Sequence, residues 1–342
     1  MSKSLCLAAL LLAGGGVAHA TQEPAYVLAK SLPLGAPDRW DYVVFDKARG
    51  RVYVAHGDRV AVVDGAAGTL IGEVTGLPGG THGTGIAGGQ GFTDDGKAGT
   101  AVAFDLETLK IIKAIPANQD ADAIVTDKAS SHVFVIEGDP GAITVIDPKS
   151  DRVVATIKAG EKMEYAASDD HGAIYVAGNE NKDLLKVNTR TNLVTARWPT
   201  PDCASPHGLA YDAAGQRLFM GCVNSKLMVV NARTGKVVSE LPIGRGSDAV
   251  VFDPHRKRVF SSNGLDGTIT IYQQTTPDTY EALAPVQTAV SGRTMAVDPA
   301  TGRLFVAAAE TDPPANPGGR PRPKPGTLRL LMLDPVDQAG AR

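Results

Sequence analysis

Short apolar runs alternate with polar turns along the whole chain, and the segment 122–160 shows this pattern most clearly. Its four β-patterned runs are separated by Asp, Gly, Pro and Ser, and they cover 123–126, 133–137, 143–147 and 153–157. Runs of this length bounded by turn residues predict one four-stranded antiparallel sheet. Because such a sheet cannot bury both of its faces alone, it has to stack against copies of itself.

The same unit recurs at intervals of about 40 residues, a period typical of β-propellers. The residues that open the successive first strands are Asp41, His82, Asp122, Glu164, His207, Asp248 and Arg293. We therefore predict an all-β fold, a seven-bladed β-propeller with four-stranded antiparallel blades.

The last blade lacks a fourth strand at the C-terminal end of the chain. Its other strands are predicted at 294–297, 303–308 and 327–333. The segment 26–34 (YVLAKSLPL) resembles the fourth strand of blade five, which starts at Val237 (VVSELPI). We expect this N-terminal strand to complete blade seven, because closing the ring removes two open sheet edges.

Several predicted second strands carry one related motif. They read RVYVA from Arg51, HVFVI from His132, AIYVA from Ala173 and RLFVA from Arg303. In these motifs the chain resembles the YVTN, or YncE-like, β-propeller repeat family, and the likeness spans essentially everything after residue 20. Blade two departs from it, since its hairpin 85–92 is shortened. The resemblance implies a periplasmic or secreted propeller, and it implies no shared catalytic set.

Residues 1–20 have the composition of a cleaved signal peptide. Lys3 precedes an apolar run at 5–17 and a small-x-small cleavage sequence at 18–20. The run is shorter than a membrane span, so we expect no transmembrane anchor. The prediction is an exported protein, periplasmic or secreted, with a single propeller domain over 21–342.

The charge balance bears on the kind of partner. The formal net charge is −3, and this lacks the basic surplus of a nucleic-acid-binding protein. We therefore expect no nucleic-acid partner. The expected partner is a small molecule or a protein of the cell envelope, and we expect the propeller to be a monomer.

Two cysteines follow the leader, Cys203 and Cys222. Cys203 lies in the connection before blade five, and Cys222 ends that blade's second strand, so both lie on the same face of the disc. Because an exported chain meets an oxidising compartment, we expect a disulfide between them. Two buried free thiols are the alternative.

The blade-opening residues are expected to ring one mouth of the central channel. Two groups of neighbours combine histidine with carboxylates: Asp41, His82 and Asp122 in one, and Glu164, His207 and Asp248 in the other. Such side chains together bind zinc, manganese, iron or copper, and carboxylates alone suit calcium. Each group is thus a candidate site for a divalent metal, and the second group is favoured. The alternative is a solvated polar rim in which Arg293 pairs with Asp41 or Asp248.

The loops after the second strands open on the same face. Their acidic residues predict an acidic mouth: Asp94, Asp95, Glu137, Asp139, Glu180, Asp183 and Asp266. The longest of these loops, 310–326, is Pro-rich and carries Arg320, Arg322 and Lys324. It is a basic flap over this mouth, a strap that docks a partner, or a tolerated surface insertion.

The sequence favours a ligand-binding or protein-binding module that uses the polar mouth of its channel. The alternative is a metal-assisted hydrolase or lyase, similar to propeller lactonases, with its site at the same mouth. Catalytic residues, ligand and metal are not assigned at this stage.

Overall fold

Antiparallel sheets arranged in a ring form the body of the protein, and the computed structural model describes residues 24–37, 39–316, 319 and 321–336. The predicted leader, 1–20, lies outside the described residues. The prediction of an all-β, seven-bladed propeller is confirmed. In the described part of the chain, no helix is long and apolar enough to cross a membrane.

Blades one to four follow the chain from the first strand to the fourth. Blade one contains Val43–Asp46, Arg51–His56, Arg59–Asp64 and Thr69–Thr75. Blade two contains Thr84–Ala87, Gln90–Asp95, Thr100–Phe104 and Ile111–Pro116, with a 3₁₀ turn at Gly96–Ala98. Blade three contains Ala121–Asp127, His132–Glu137, Ala142–Asp147 and Arg152–Lys158. Blade four contains Met163–Ser168, Ala173–Gly178, Asp183–Asn188 and Leu193–Pro199.

The next two blades differ at their outer edges. Blade five contains Pro206–Asp212, Arg217–Cys222, Lys226–Asn231 and Val237–Pro242. Blade six contains Ser247–Asp253, Arg258–Asn263 and the long strand Thr268–Thr276. Its outer position is filled by two short strands, Thr279–Ala282 and Val286–Gln287, which both pair with that long strand.

The ring is closed by the N-terminal strand, as predicted. Blade seven contains Thr294–Val297, Leu304–Ala308 and Arg329–Pro335, and Tyr26–Pro33 pairs antiparallel with the last of these. The two ends of the chain therefore share one sheet, which leaves no gap between the first and last blades. In the long loop of this blade, Thr311–Asp312 pairs with Arg322–Pro323.

Short polar side chains fix the hairpin turns between third and fourth strands. Asp64 Oδ1 accepts hydrogen bonds from Ala66 N at 2.9 Å and Ala67 N at 2.7 Å. Asn188 Oδ1 accepts from the two equivalent backbone amides of its own turn at 3.0 Å each. Because the side chain supplies the turn's hydrogen bonds, Asp and Asn recur at this position.

The core lies between neighbouring blades. The second strand of each blade carries an aromatic residue that is no more than 2% exposed: Tyr53, Phe92, Phe134, Tyr175, Phe219, Phe260 and Phe305. These rings pack against the next blade; Phe305 of blade seven, for example, stacks on Phe45 of blade one with ring centroids 5.6 Å apart. Aromatic burial at each contact explains how a chain of this length folds without a single central core.

The shortened hairpin of blade two is also observed. Gly88 and Gly89 form its two-residue turn with φ of 58° and 84°. Both values lie in the left-handed region that a type I′ turn needs, and glycine adopts it without steric cost.

Candidate functional site

Each blade-opening residue stands at the start of a first strand or within two residues of it. Hydrogen bonds join neighbouring blades at this level: Tyr42 N donates to His82 O at 3.1 Å, and Thr294 Oγ1 donates to Asp41 O at 2.7 Å. The backbone at the start of these first strands is thus held by a neighbouring blade. The side chains in this ring are placed by a rigid support.

Arg293 connects three blades at the channel mouth. Its Nη1 lies 2.7 Å from Asp248 Oδ2 and its Nη2 lies 3.8 Å from Asp41 Oδ2. Nη2 also donates to Trp40 O at 2.7 Å, and the guanidinium lies 5.9 Å from the Trp40 ring centroid. The predicted pairing of Arg293 with its acidic neighbours is therefore present in the structure.

Two carboxylates of the ring, those of Asp41 and Asp122, are less well compensated by nearby positive charge. Burial raises the pKa of Asp41 to about 6 in spite of the opposing effect of Arg293, and Asp248 adds to the rise. Burial, reinforced by the charge of Asp41, raises the pKa of Asp122 well above its usual value. Among the described residues, Asp122 has no hydrogen-bond or ion-pair partner. The channel is thus a desolvated acidic environment.

His82 is held by a buried carboxylate. Its Nδ1 lies 2.7 Å from Asp94 Oδ2, and Asp94 Oδ1 accepts hydrogen bonds from the backbone amides of His82 at 2.8 Å and Gly83 at 2.9 Å. Burial lowers the pKa of His82, but Asp94, Asp122 and Asp41 outweigh this and raise it to about 9. His82 therefore carries a positive charge at neutral pH.

The three residues favoured as metal ligands make hydrogen bonds or ion pairs with other protein groups. Glu164 Oε1 accepts from Asn179 Nδ2 at 3.2 Å, His207 Nδ1 contacts Ser205 O at 2.9 Å, and Asp248 pairs with Arg293. Burial raises the pKa of Glu164. Over the described ranges, no group of three His, Cys, Asp or Glu side chains is arranged to hold a metal ion. As placed, these residues do not fit a metal, and the metal site stays a prediction.

A pocket of about 360 Å³ opens at the mouth beside this ring. His207, Asp248 and Arg293 contribute its polar wall. Apolar surface from several loops forms the rest: Trp40, Val223, Leu265, Pro321 and Pro323. The pocket therefore combines one charged end with an apolar body.

The pocket walls come from loops, one of which is held by a disulfide. The predicted disulfide is present, with Cys203 and Cys222 joined at an S–S distance of 2.02 Å, and it anchors the loop that carries Val223. Pro321 and Pro323 belong to the Pro-rich loop, which thus reaches the mouth at these two residues. Of the basic residues predicted there, Lys324 lies 3.8 Å from Glu310, Arg322 is exposed, and Arg320 lies outside the described residues.

The expected acidic face is wrong for four of its residues. Asp94 and Glu137 are fully buried, and Asp95 and Asp183 are each 6% exposed. Glu137, for example, accepts a hydrogen bond from Asn118 N at 3.0 Å and so secures the loop that enters its blade. These carboxylates serve the packing of the loops instead of lining the surface.

Sequence reasoning missed two residues of the mouth, Arg39 and Trp40. Both line the pocket of about 360 Å³, and they directly precede the blade-opening Asp41. Trp40 is 4% exposed, and within the described part of the chain its Nε1 has no hydrogen-bond partner. The only signal was this adjacency, since no periodicity governs the direction of a side chain in a loop.

Comparison with solved structures finds this architecture elsewhere. A chain of the crystal structure of the mitotic checkpoint complex matches with a TM-score of 0.75 and 14% identity, over 98% of this chain and 99% of that chain. A chain of Kuenenia stuttgartiensis hydrazine synthase matches with a TM-score of 0.68 and 14% identity, over 81% of this chain and 93% of that one. Protein-family models and curated proteins give no match. At such identities the likeness shows the fold alone, so the class established is that of seven-bladed β-propellers.

Proposed function

We propose that this protein is an exported β-propeller of the YVTN, or YncE-like, kind that binds a small organic ligand at the mouth of its channel. The observation that carries this proposal is the pocket of about 360 Å³ with its apolar body and its charged end. Ligand pockets in proteins have volumes of roughly 300–1,000 Å³ and combine apolar walls with a few polar groups that fix orientation.

The pocket offers both kinds of contact. Leu265 and Val223 are 41% and 40% exposed, which leaves apolar surface for a ligand to cover. The indole of Trp40 supplies an aromatic wall beside them, and Arg293 with Asp248 supplies an ionic pair at one end. A flat or branched apolar group with a polar substituent suits this combination.

Two features support export to the periplasm or beyond the cell. The leader at 1–20 has the sequence of a signal peptide. The Cys203–Cys222 disulfide is of the kind that persists in oxidising compartments. The family resemblance carried by the second-strand motifs points to the same location.

The alternative is that the mouth binds a protein partner. One neighbour in fold comes from a multi-protein assembly, the mitotic checkpoint complex, and propellers commonly serve as protein-binding modules. We favour the small molecule because the mouth is concave at Trp40. The metal-assisted hydrolase or lyase has no specific geometry in its favour and stays a prediction.

The test is a screen of small organic compounds by ligand-observed NMR on the mature chain and on two variants. Leu265→Gln places a polar group in the pocket, whereas Leu193→Gln changes an apolar side chain that is 61% exposed on the outer strand of blade four. Compounds bound at the mouth should bind about tenfold more weakly to Leu265→Gln, because an apolar contact is lost. They should bind Leu193→Gln unchanged. Compounds that bind both variants like the unchanged protein, or an absence of any binding compound, would contradict the proposal.

A further inference from the structure

A second pocket, of about 370 Å³, opens at the mouth on the side of blade two. Three of its lining residues carry positive charge or can gain it: Arg39, His82 and Lys97. Asp120 is the one carboxylate in its wall. This pocket is more polar than the neighbouring one, and Arg39 lines both.

The orientation of His82 is set from behind the pocket. Asp94 holds Nδ1 at 2.7 Å, so the opposite ring nitrogen, Nε2, faces Arg39. Gly96 packs against the ring, and a Cβ there would lie 2.8 Å from His82 Cε1. The imidazole is therefore fixed by a buried carboxylate on one edge and a glycine on its side.

The two other basic residues lack acidic partners. Both Arg39 and Lys97 are exposed, and within the described ranges neither forms an ion pair. Other arginines of this chain are paired; Arg303, for example, lies 2.6 Å from Asp334. Within those ranges, therefore, no carboxylate pairs with Arg39 or Lys97.

The contact between Arg39 and His82 is incomplete without an acceptor. Arg39 Nη2 lies 3.3 Å from His82 Nε2, and a guanidinium nitrogen can only donate. When His82 is protonated, Nε2 also becomes a donor, and two cationic donors then face each other. An anionic oxygen placed between them would accept from both.

We propose that this pocket binds an anionic oxygen group, a carboxylate or a phosphate monoester, through Arg39, His82 and Lys97. The carboxylate of Asp120 is already engaged, because its Oδ2 accepts from Asp139 N at 2.8 Å. It limits the net positive charge of the pocket and thereby favours a small, singly or doubly charged group.

Anion binding is coupled to the protonation of His82. The charged groups around the ring are Asp94 and Lys97 on blade two, Asp120 and Asp122 at the start of blade three, and Asp41 and Arg39 on the segment entering blade one. Asp94, Asp122 and Asp41 raise the pKa of His82 to about 9. Affinity for the anion should therefore be full at neutral pH and fall as the pH rises through about 9.

Arg39 lines both pockets, so the two lie side by side at the mouth. If the proposed function holds, one ligand can occupy both. A ligand could then place its apolar body beside Trp40 and its anionic group beside His82. This extension rests on the proposed function, whereas the anion site itself does not.

The test is calorimetric titration of the mature chain with inorganic phosphate and, separately, with acetate at pH 7. Arg39→Gln should weaken binding by about tenfold, because a charge-assisted hydrogen bond is lost. Asp120→Asn should strengthen anion binding, because it removes the negative charge from the pocket wall. Arg233→Gln, which changes an exposed arginine in a turn of blade five, should leave it unchanged. Tighter binding of phosphate or of acetate assigns the ligand class, and either result supports the site.

Binding that is equal in Arg39→Gln and in the unchanged chain would overturn the proposal, as would the absence of binding by both anions. His82→Gln alters a buried contact, so its melting temperature should be measured before its anion binding. Lys97→Gln changes an exposed side chain without disturbing packing, and it should also weaken anion binding. Leu265→Gln separates the two proposals, since it should weaken ligand binding in the neighbouring pocket and leave phosphate binding intact.

Discussion

Tyr42 of blade one and Tyr165 of blade four meet across the central channel, with ring centroids 4.6 Å apart and ring planes at 75°. Edge-to-face contact of this kind is favourable beyond the area it buries. Burial raises the pKa of both hydroxyls. These blades stand three places apart in a ring of seven, so the contact joins two blades that are not neighbours.

Truncation of this contact should destabilise the ring as a whole. We expect Tyr42→Ala to lower the free energy of unfolding by about 3 kcal/mol, the cost of removing a buried aromatic side chain. Tyr42→Phe keeps the ring and should cost less than about 1.5 kcal/mol. Urea denaturation measures both, and equal losses for the two variants would show that the hydroxyl matters more than the ring contact.

The carboxylate of Asp122 should make stability depend on pH. Its pKa in the folded state lies above the unfolded value, so the folded protein holds the proton more tightly. The destabilisation is absent below about pH 4, the unfolded pKa of Asp, and it grows as the pH rises towards the folded pKa. Asp41 follows the same sign, and its contribution is complete above about pH 6.

Removal of this charge should therefore stabilise the protein under neutral conditions. We expect Asp122→Asn to raise the melting temperature at pH 8 and to leave it unchanged at pH 4. Asp202→Asn, at an exposed position beside Cys203, provides the control and should have no effect at either pH. A melting temperature of Asp122→Asn that exceeds the parent equally at both pH values would refute the linkage.

The disulfide should contribute to stability through the loop that it closes. Cys203 and Cys222 are separated by 19 positions, and a loop of this size corresponds to about 3 kcal/mol in the chain-entropy model. We expect a reductant to lower the melting temperature of the parent protein. The double variant Cys203→Ala/Cys222→Ala should melt at a lower temperature and should not respond to reductant; a parent protein that also shows no response would contradict this account.

Much of the architecture was predictable because the same repeat occurs several times along the chain. The aromatic residue in each second strand, as in Phe134, and the turn residue Asp147 recur with the blade period, and the strand at Tyr26–Pro33 had one vacant place to fill. The mouth was predictable only in part. Arg293 was placed correctly between its acidic neighbours, whereas Trp40 was passed over because the direction of a loop side chain leaves no period in the sequence.

Three of the four misplaced acidic residues share a physical cause, because they lie at the ends of second strands, whereas Asp183 opens a third strand. Positions at the ends of second strands receive the loop that enters the blade, so a polar residue there is buried against backbone groups. His56 contacts Pro37 O at 2.6 Å in blade one, and Glu137 accepts from Asn118 N at 3.0 Å in blade three. A rule that assigns charged loop residues to the surface fails at such anchoring positions, because the loop supplies the hydrogen bonds that water otherwise would.

The ion pair between Arg293 and Asp248 should matter far more than a surface pair of equal length. Arg293→Met leaves the carboxylates of Asp248 and Asp41 without their shared cation in a desolvated channel, and removing one partner of such a pair costs about 3–5 kcal/mol. Arg245 and Asp266 form the matched control, since their ion pair is 2.8 Å long but the Arg245 side chain is 73% exposed. We expect Arg245→Met to cost less than about 1 kcal/mol. The loss in Arg293→Met should also shrink at low pH, because Asp41, whose pKa burial raises to about 6, becomes protonated there. Urea denaturation at pH 4 and pH 8 measures this. Equal losses for the two variants at pH 8 would mean that solvent screens the mouth as fully as it screens the surface.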